Sequence, residues 1–592
     1  MLKSCLAAGL AACLLAPPAA GAERPNIVFI LLDDAGFSDL GAYGGEIDTP
    51  NIDAIAGSGV RLINFHTAST CEASRAMLMS GVDNHRAGAG TLQVVQADNQ
   101  RGKPGYEGYL NERSHSLGRL MKDGGYATYF AGKWNLGDGL ARSPGARGWD
   151  RYIALEQTGA DNFEDGKIYA PLNLAAVRWE DGRRAVLPAR FFSTSHYVDR
   201  LIKYIDDGKA GRKPFFAMLA LQAVHSPLQA PDADIAKYHD RYAAGWDQVR
   251  QQRYERQVRL GIMPPNLALP DAPGAREWST LEYEEQRAYA RKMAAFAGML
   301  DNADQQIGRL REHLRSIGQL ENTAFVIMSD NGADPYELNR LNLPFKLWYQ
   351  ARFRLDLESL GKPGSYAHYG QDWAEVSNTP FALFKGTAGE GGMRVPFILS
   401  YPRRIAPGTT SAKFAYATDF LPTMLELAGI PPPGAGYGGQ KLHVPTGASL
   451  LPHLEGKASA FHAADEAIGF EATGAEAMFK GPYKLARNGP PFGDGEYRLY
   501  DIASDPVEAR DLSAARPDVL RELKEHMEEY VRINGVVRPP PGFNAQHQVL
   551  LNNWPTLLRQ LAPMLLAVLL GAAALVSAFW FLLRRPQPEK PL

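Results

Sequence analysis

The sequence predicts an α/β fold: a large, mixed, mostly parallel sheet with helices on both faces, a small C-terminal α+β domain with an antiparallel sheet, and a C-terminal transmembrane helix. Three observations predict it. Continuous apolar runs rich in branched residues, such as Asn26–Leu32 and Ala324–Met328, have the composition of strands buried on both faces. Met293, Phe296, Leu300, Ala303, Ile307, Leu310 and Leu314 recur every three or four residues and feed directly into the second of those runs, the alternation of a doubly wound sheet. After Pro431-Pro432-Pro433 the apolar segments shorten, and the chain ends in an uncharged stretch, Leu561–Leu583.

Taken in order, Met1-Leu2-Lys3 is a short basic start, Cys5–Leu15 is apolar, and Ala20-Gly21-Ala22 offers small residues for cleavage, so residues 1–22 are expected to be a secretion signal. The competing reading makes Cys13 a lipoprotein acylation site, after a rather short apolar run. Residues 23–430 form the expected catalytic domain. Within it Asn26–Leu32 ends in Asp33-Asp34-Ala35-Gly36, Ala127–Phe130 leads toward Lys133, Pro214–Leu221 toward His225, and Ala324–Met328 into Ser329-Asp330-Asn331-Gly332. Polar residues therefore collect beyond the carboxyl ends of strands, where open α/β sheets place their sites.

Residues 431–535 form the expected α+β companion, with strands at Tyr483–Leu485 and Arg498–Asp501 and a final helix over Pro517–Arg532. Residues 536–560, opening on Pro539-Pro540-Pro541-Gly542 and polar from Asn544 to Asn553, are expected to be a stalk. Leu561–Leu583 is long enough to cross a bilayer, and nothing after it could complete a buried core. Arg584 and Arg585 open the tail, residues 584–592, and favour its cytoplasmic placement. The expectation is a single-pass inner-membrane protein with its catalytic domain on the periplasmic side.

The 592 residues carry 63 basic and 65 acidic side chains, a formal net charge of −2, with no long basic run, which argues against nucleic acid as a partner. Once the signal is removed with Cys5 and Cys13, Cys71 is the one cysteine left, so an exported chain could not use it for an internal disulfide. Buried free cysteine is ordinarily a small hydrophobe. Here Glu72, Ser74 and Arg75 follow at once, and the helical Ala76-Met77-Leu78-Met79 places Cys71 at a helix N-terminus, where backbone donors favour negative charge. Asp33, Asp34, Asp330 and Asn331 offer hard oxygen ligands suited to Ca²⁺ or Mg²⁺ and not to Zn²⁺. Singly, each of these motifs is also an ordinary turn sequence.

On these residues the chain resembles the sulfatase family of the alkaline phosphatase-like superfamily, and within it the bacterial arylsulfatases, from about Asn26 to Asn534. Cys71-Glu72-Ala73-Ser74-Arg75-Ala76-Met77-Leu78-Met79-Ser80-Gly81 is similar to the family segment whose cysteine is oxidised to formylglycine. Supporting segments include Pro104–Arg113, Ala131-Gly132-Lys133-Trp134-Asn135-Leu136-Gly137, His225–Pro231, Lys385–Gly392, and Leu499-Tyr500-Asp501 with Asp505-Pro506.

The resemblance implies a sulfuric ester hydrolase that works through a formylglycine-sulfate intermediate and takes a small-molecule or glycan sulfate ester. It implies that Asp33, Asp34, Asp330, Asn331 and residue 71 bind Ca²⁺, with Mg²⁺ the lesser expectation. Residue 71 is then the nucleophile and Arg75 holds its hydroxyls. Lys133, His225 and Lys385 surround the sulfate, and His225 or Lys385 protonates the leaving oxygen. A formylglycine-generating maturation enzyme is a required partner. A gem-diol also fits the site chemically, because a thiolate is a poor ligand for a hard cation and two hydroxyls are good ones.

The chain departs from the family at Asn135, where histidine is usual, and at Ala73, where proline is the more common residue. Asparagine can hydrogen-bond but cannot take up a proton. Two other readings stand beside this one. A phosphonate monoester or phosphodiester hydrolase of the same superfamily would use similar chemistry. A non-catalytic sulfated-glycan-binding protein would need an unmodified Cys71. The leaving-group pocket is expected from variable loops such as 106–109, 161–192 and 340–373, which do not name the ester.

Overall fold

The computed structural model describes residues 24–583, apart from residue 212 and residues 338–341. The expected signal and cytoplasmic tail lie outside these residues. Asn26–Leu32 is a central strand, paired in parallel with Phe215–Ala220 on one side and Thr323–Ser329 on the other. Ala127–Lys133 and Arg151–Leu155 continue the parallel order outward. Arg394–Ser400 runs antiparallel beside Thr323–Ser329, and Val60–His66 pairs antiparallel with it in turn. Short strands complete a mixed eleven-stranded sheet.

Period-two alternation explains its two covered faces. Val28, Ile30 and Leu32 point into a core shared with the helices Ser193–Gly208 and Tyr283–Ser316, whereas Ile27, Phe29 and Leu31 point into a second core with the helices Cys71–Ser80, Leu117–Asp123 and Phe420–Leu427. A strand buried on both sides needs apolar residues at every position, and this one has them from Ile27 onward. The periodic run Met293–Leu314 lies within the single long helix Tyr283–Ser316.

The C-terminal region forms a four-stranded antiparallel sheet in the order Ala467–Ala472, Ala475–Lys480, Tyr483–Arg487, Tyr497–Asp501. One face carries the helix Pro517–Asn534 through Val519, Leu523 and Met527. The other face sends Phe470 and Phe479 into the second core of the large sheet, so the two sheets share one apolar interior.

The last helix runs from Ala545 to Leu583. Among the described residues it is the one helix long and apolar enough to cross a membrane. The stretch read from sequence as a stalk is helical from Ala545, and its Leu557 is fully buried against a cluster that includes Trp348, Tyr349, Phe353 and Tyr366. Polar composition masked this packing. Val549, Leu550, Leu557 and Leu561 are the apolar contacts, while Asn552 and Gln560 bond the domain beneath them.

Candidate active site

Parallel pairing sets the site. Leu32 is in register with Ser329, so Asp33 and Asp34 leave the sheet beside Asp330 and Asn331. Lys133 ends its strand in the same row. It follows Gly132, whose φ of +129° and close approach to the Ala220 carbonyl, where a Cβ would stand 1.8 Å from the oxygen, exclude a side chain. Cys71 opens the helix Cys71–Ser80, as its sequence context predicts, and Thr70 makes no side-chain cap there. Asp34 itself has φ +64°, a left-handed conformation uncommon outside glycine.

The expected residues converge. Cys71 Sγ lies 3.4 Å from Asp33 Oδ1 and 3.7 Å from Asp34 Oδ1. Lys133 Nζ donates to Asp33 Oδ2 at 2.6 Å, and Lys385 Nζ donates to both Asp34 oxygens at 2.7 and 2.8 Å. Arg75 Nε donates to Asp330 Oδ2 at 2.8 Å and Nη1 to the Lys133 carbonyl at 2.7 Å. His225 Nδ1 donates to the Ser226 carbonyl at 2.6 Å, which leaves Nε2 facing Asp34 Oδ2 at 3.7 Å. Neither lysine is solvated: the Lys133 side chain is fully buried and that of Lys385 is 9% exposed.

Burial and opposite charge compete here. Burial, reinforced by Asp33, raises the Asp330 carboxyl to about 6 although Arg75 and Lys133 oppose it. Burial acts on Asp34 in the same sense, yet Lys385, His225 and Lys133 together hold it below the usual carboxylate range. Burial lowers His225 to about 3, against Asp34 and with help from Lys385 and Lys133, so its ring is neutral. Burial and then Asp330 push the Cys71 thiol well above its ordinary value. An unmodified Cys71 would therefore be a protonated thiol, a weak nucleophile and a weak ligand.

The donor set fits a hard divalent cation. Ligand atoms of Asp33, Asp34, Asp330 and Cys71 all lie within 4.8 Å of one another. Asn331 Nδ2 donates to Asp34 Oδ1 at 2.7 Å, and its Oδ1 is buried with no partner. A buried amide oxygen without a donor is costly, and a cation beside the carboxylates would satisfy it.

Cys71, His225 and Lys385 line a cavity of about 960 Å³, and the carboxylates lie behind them. Several lining residues carried no sequence signal of their own. Asp334 lies in a second close group with Asp34 and His225. Glu72, beside Cys71, has a buried Oε1 without a partner, and burial with Asp138 raises its carboxyl to about 8. His368 bonds Tyr366 at 3.0 Å, and burial with Lys292 lowers it to about 3. The three loops expected from sequence contribute Gly108, Tyr169 and Phe345 among others, but residues 488–495 and 538–549 also line the cavity and were not anticipated.

Residues 25–430 match the family model described as Sulfatase, and residues 385–532 that described as N-sulphoglucosamine sulphohydrolase, C-terminal. Over 540 residues the chain is 37% identical to an uncharacterized sulfatase of Schizosaccharomyces pombe, covering 89% of this chain and 97% of that protein. Over 416 residues it is 36% identical to an arylsulfatase of Klebsiella aerogenes, covering 70% of this chain and 89% of that one. Among solved structures, Ps i-CgsB in complex with k-i-k-neocarrahexaose superposes with a TM-score of 0.62 at 23% identity, over 90% of this chain and 98% of that one, a likeness of fold.

Proposed function

We propose, on the premise that the chain belongs to the sulfatase family and is a sulfuric ester hydrolase, that it converts aryl sulfate-like monoesters to phenol or alcohol plus sulfate at residue 71. The reading includes oxidation of Cys71 to formylglycine, which supplies an oxygen nucleophile where a thiol stands otherwise. The observation that carries it is the position of Cys71 Sγ at a helix N-terminus, within 3.4 Å of Asp33, in a cavity it shares with His225 and Lys385.

A divalent cation, Ca²⁺ before Mg²⁺, would be held by Asp33, Asp34, Asp330, Asn331 and residue 71, and would neutralise sulfate charge while lowering the pKa of the attacking hydroxyl. Arg75, anchored on Asp330 and the Lys133 carbonyl, orients residue 71. Lys133 and Lys385 place two cations against the charge that spreads over the transferring group, the largest source of catalysis for such a reaction. Lys385, kept protonated beside Asp34, delivers the proton to the departing oxygen; His225, neutral with its Nδ1 proton on the Ser226 carbonyl, would do so only after taking up a proton at Nε2. Burial of the floor keeps these charges strong by excluding water.

The division into a catalytic domain over 23–430 and a companion over 431–535 belongs to the same reading. So does anchoring by 561–583, supported by the run of exposed apolar residues from Leu566 to Leu583.

The test has two arms. The mass of the proteolytic peptide spanning Leu62–Arg75, from protein made with a maturation enzyme, should be that of an aldehyde; an unaltered thiol mass in active protein would remove formylglycine from the mechanism. Parallel assays on aryl sulfate and aryl phosphonate should give the larger kcat/KM for sulfate, and the reverse order would favour the phosphonate hydrolase.

A further inference from the structure

The cavity that holds Cys71 is walled on one side by a segment that lies beyond both family models, the second of which ends at residue 532. We propose that residues 538–549 are a built wall of the leaving-group pocket, and that this pocket selects sulfate esters whose leaving group is bulky, uncharged and apolar-faced. The inference rests on residue 71 as the reacting position and adds what the rest of the substrate meets.

The segment is fixed at both ends. At its start, Val537 N–H donates to the Tyr106 hydroxyl at 2.8 Å and the Val537 carbonyl accepts from Gln100 Nε2 at 2.7 Å. Asn99 Nδ2 donates to the Arg538 carbonyl at 2.8 Å, and Arg538 Nε donates to Glu476 Oε1 at 2.7 Å. At its end, Asn552 Nδ2 donates to the carbonyls of Gln96 at 2.9 Å and Val94 at 3.2 Å, and Leu557 is fully buried. Between these clamps Pro539, Pro540 and Pro541 have fixed φ and no N–H. At these three prolines the wall is stiff, presents ring faces, and offers a ligand no backbone donor.

The chemistry of the surroundings agrees. Pro490, Pro491 and Phe492 also line the cavity, along with Phe543 of the segment itself. Of the lining arginines, Arg487 and Arg538 both bond Glu476, and Arg142 lies over the Tyr109 ring, 3.6 Å from its centre. With Asp138 and Glu156 also in the lining, a leaving group bearing further sulfates would meet carboxyls, and two of the three lining guanidinium groups are already paired with Glu476. At about 960 Å³ the cavity is at the upper end of the range typical of small-molecule sites, about 300–1,000 Å³.

The experiment uses the full chain in detergent. Affinities for a one-ring and a fused-ring aryl sulfonate, which are not hydrolysed, are measured with kcat/KM for the corresponding aryl sulfates and for a sulfated disaccharide. The wild type should favour the fused-ring compounds, and Phe543→Ala should lower the fused-to-single-ring ratio at least fivefold in both readouts. Asn552→Ala, which releases one clamp without touching the cavity's apolar surface, should shift the ratio the same way by a smaller factor. A ratio unmoved in both variants at unchanged Tm, or a wild type that prefers the disaccharide, overturns the proposal. Normal sulfonate selectivity without turnover of any sulfate ester would overturn the hydrolytic reading of the site while leaving the wall standing.

Discussion

The floor of the active site and the seam between the two sheets each bury carboxylates against cations, and they part company in what lies next to them. At the seam, Glu390 accepts from His66 at 3.0 Å, Lys484 at 2.8 Å and Arg394 at 3.2 Å, while Lys484 also meets Glu508 at 2.8 Å. His85 bridges Asp83 and Glu471 at 2.9 and 2.8 Å, and the Tyr530 hydroxyl closes on Asp83 at 2.6 Å. At the floor, Lys133, Lys385 and Arg75 are set just as close to Asp33, Asp34 and Asp330. Charge balance and burial do not distinguish the two. The floor borders a cavity through Cys71, His225 and Lys385, whereas the residues of the seam network are absent from that lining. Buried ion pairs mark a site when something outside the protein can compete for them.

The comparison breaks first at Asp330. Asp330→Asn keeps the shape and removes a charge, so turnover should fall by about a hundred- to a thousandfold, as loss of a preorganised group at a reacting centre implies. Added Ca²⁺ should raise the Tm of the wild type and not of the variant. A variant that keeps a tenth of its activity would show that this carboxylate belongs with those of the seam.

Glu390→Gln should do the opposite. It leaves Lys484 and Arg394 buried with one charge partner fewer, a loss of about 3–5 kcal/mol for pairs of this kind, read as a fall in Tm and in the denaturant midpoint. The kcat of the molecules that remain folded should stay within about threefold, since binding of the cation and sulfate does not involve Glu390. A specific loss of kcat at unchanged Tm would move Glu390 into the active site.

The seam also makes a prediction in pH. Burial acts to lower His85, but its bonds to Asp83 and Glu471 outweigh that and raise it to about 9, above its ordinary 6.5. A group raised on folding stabilises fully below its unfolded pKa. Its contribution, on the order of 3 kcal/mol, should therefore be present below about pH 6.5 and lost as pH rises through 9. His85→Gln should be less stable at pH 6 and should approach the wild type near pH 10. Parallel stability curves across that window would refute the assignment.

How much of this was legible in the sequence follows from how far each contact reaches. Asp33, Asp34, Asp330 and Asn331 were legible because each stands immediately after an apolar run, and adjacent parallel strands bring such ends together. Cys71 was legible from its isolation and from the helix after it. Lys133, His225 and Lys385 look like ordinary surface or loop residues one at a time, and only resemblance to a family selected them; their burial is a product of the whole sheet. Glu390, inside a family-like segment, gave no hint that it serves the seam. The wall over 538–549 was hidden for a different reason. Proline and asparagine there have the composition of a linker, and their partners, Gln96, Gln100 and Tyr106, are some 440 residues earlier in the chain.

The smallest expected effect concerns Asn135, in the lining of the active-site cavity. Its φ is +52°, its Nδ2 is buried without a partner, and it lines the cavity, so it faces the chemistry with a donor that nothing in the protein uses. Histidine, like asparagine, is among the residues that tolerate a left-handed backbone, so Asn135→His should fold without strain. It would also restore a group able to exchange a proton. In single-turnover experiments the sulfate-release phase should quicken by roughly two- to tenfold, well short of the ~100- to 10,000-fold of a fully positioned acid or base, with the phenol-release phase little changed. Equal gains in both phases would mean that the introduced imidazole acts by binding the ester, and no gain in either would show that water or another residue already serves release.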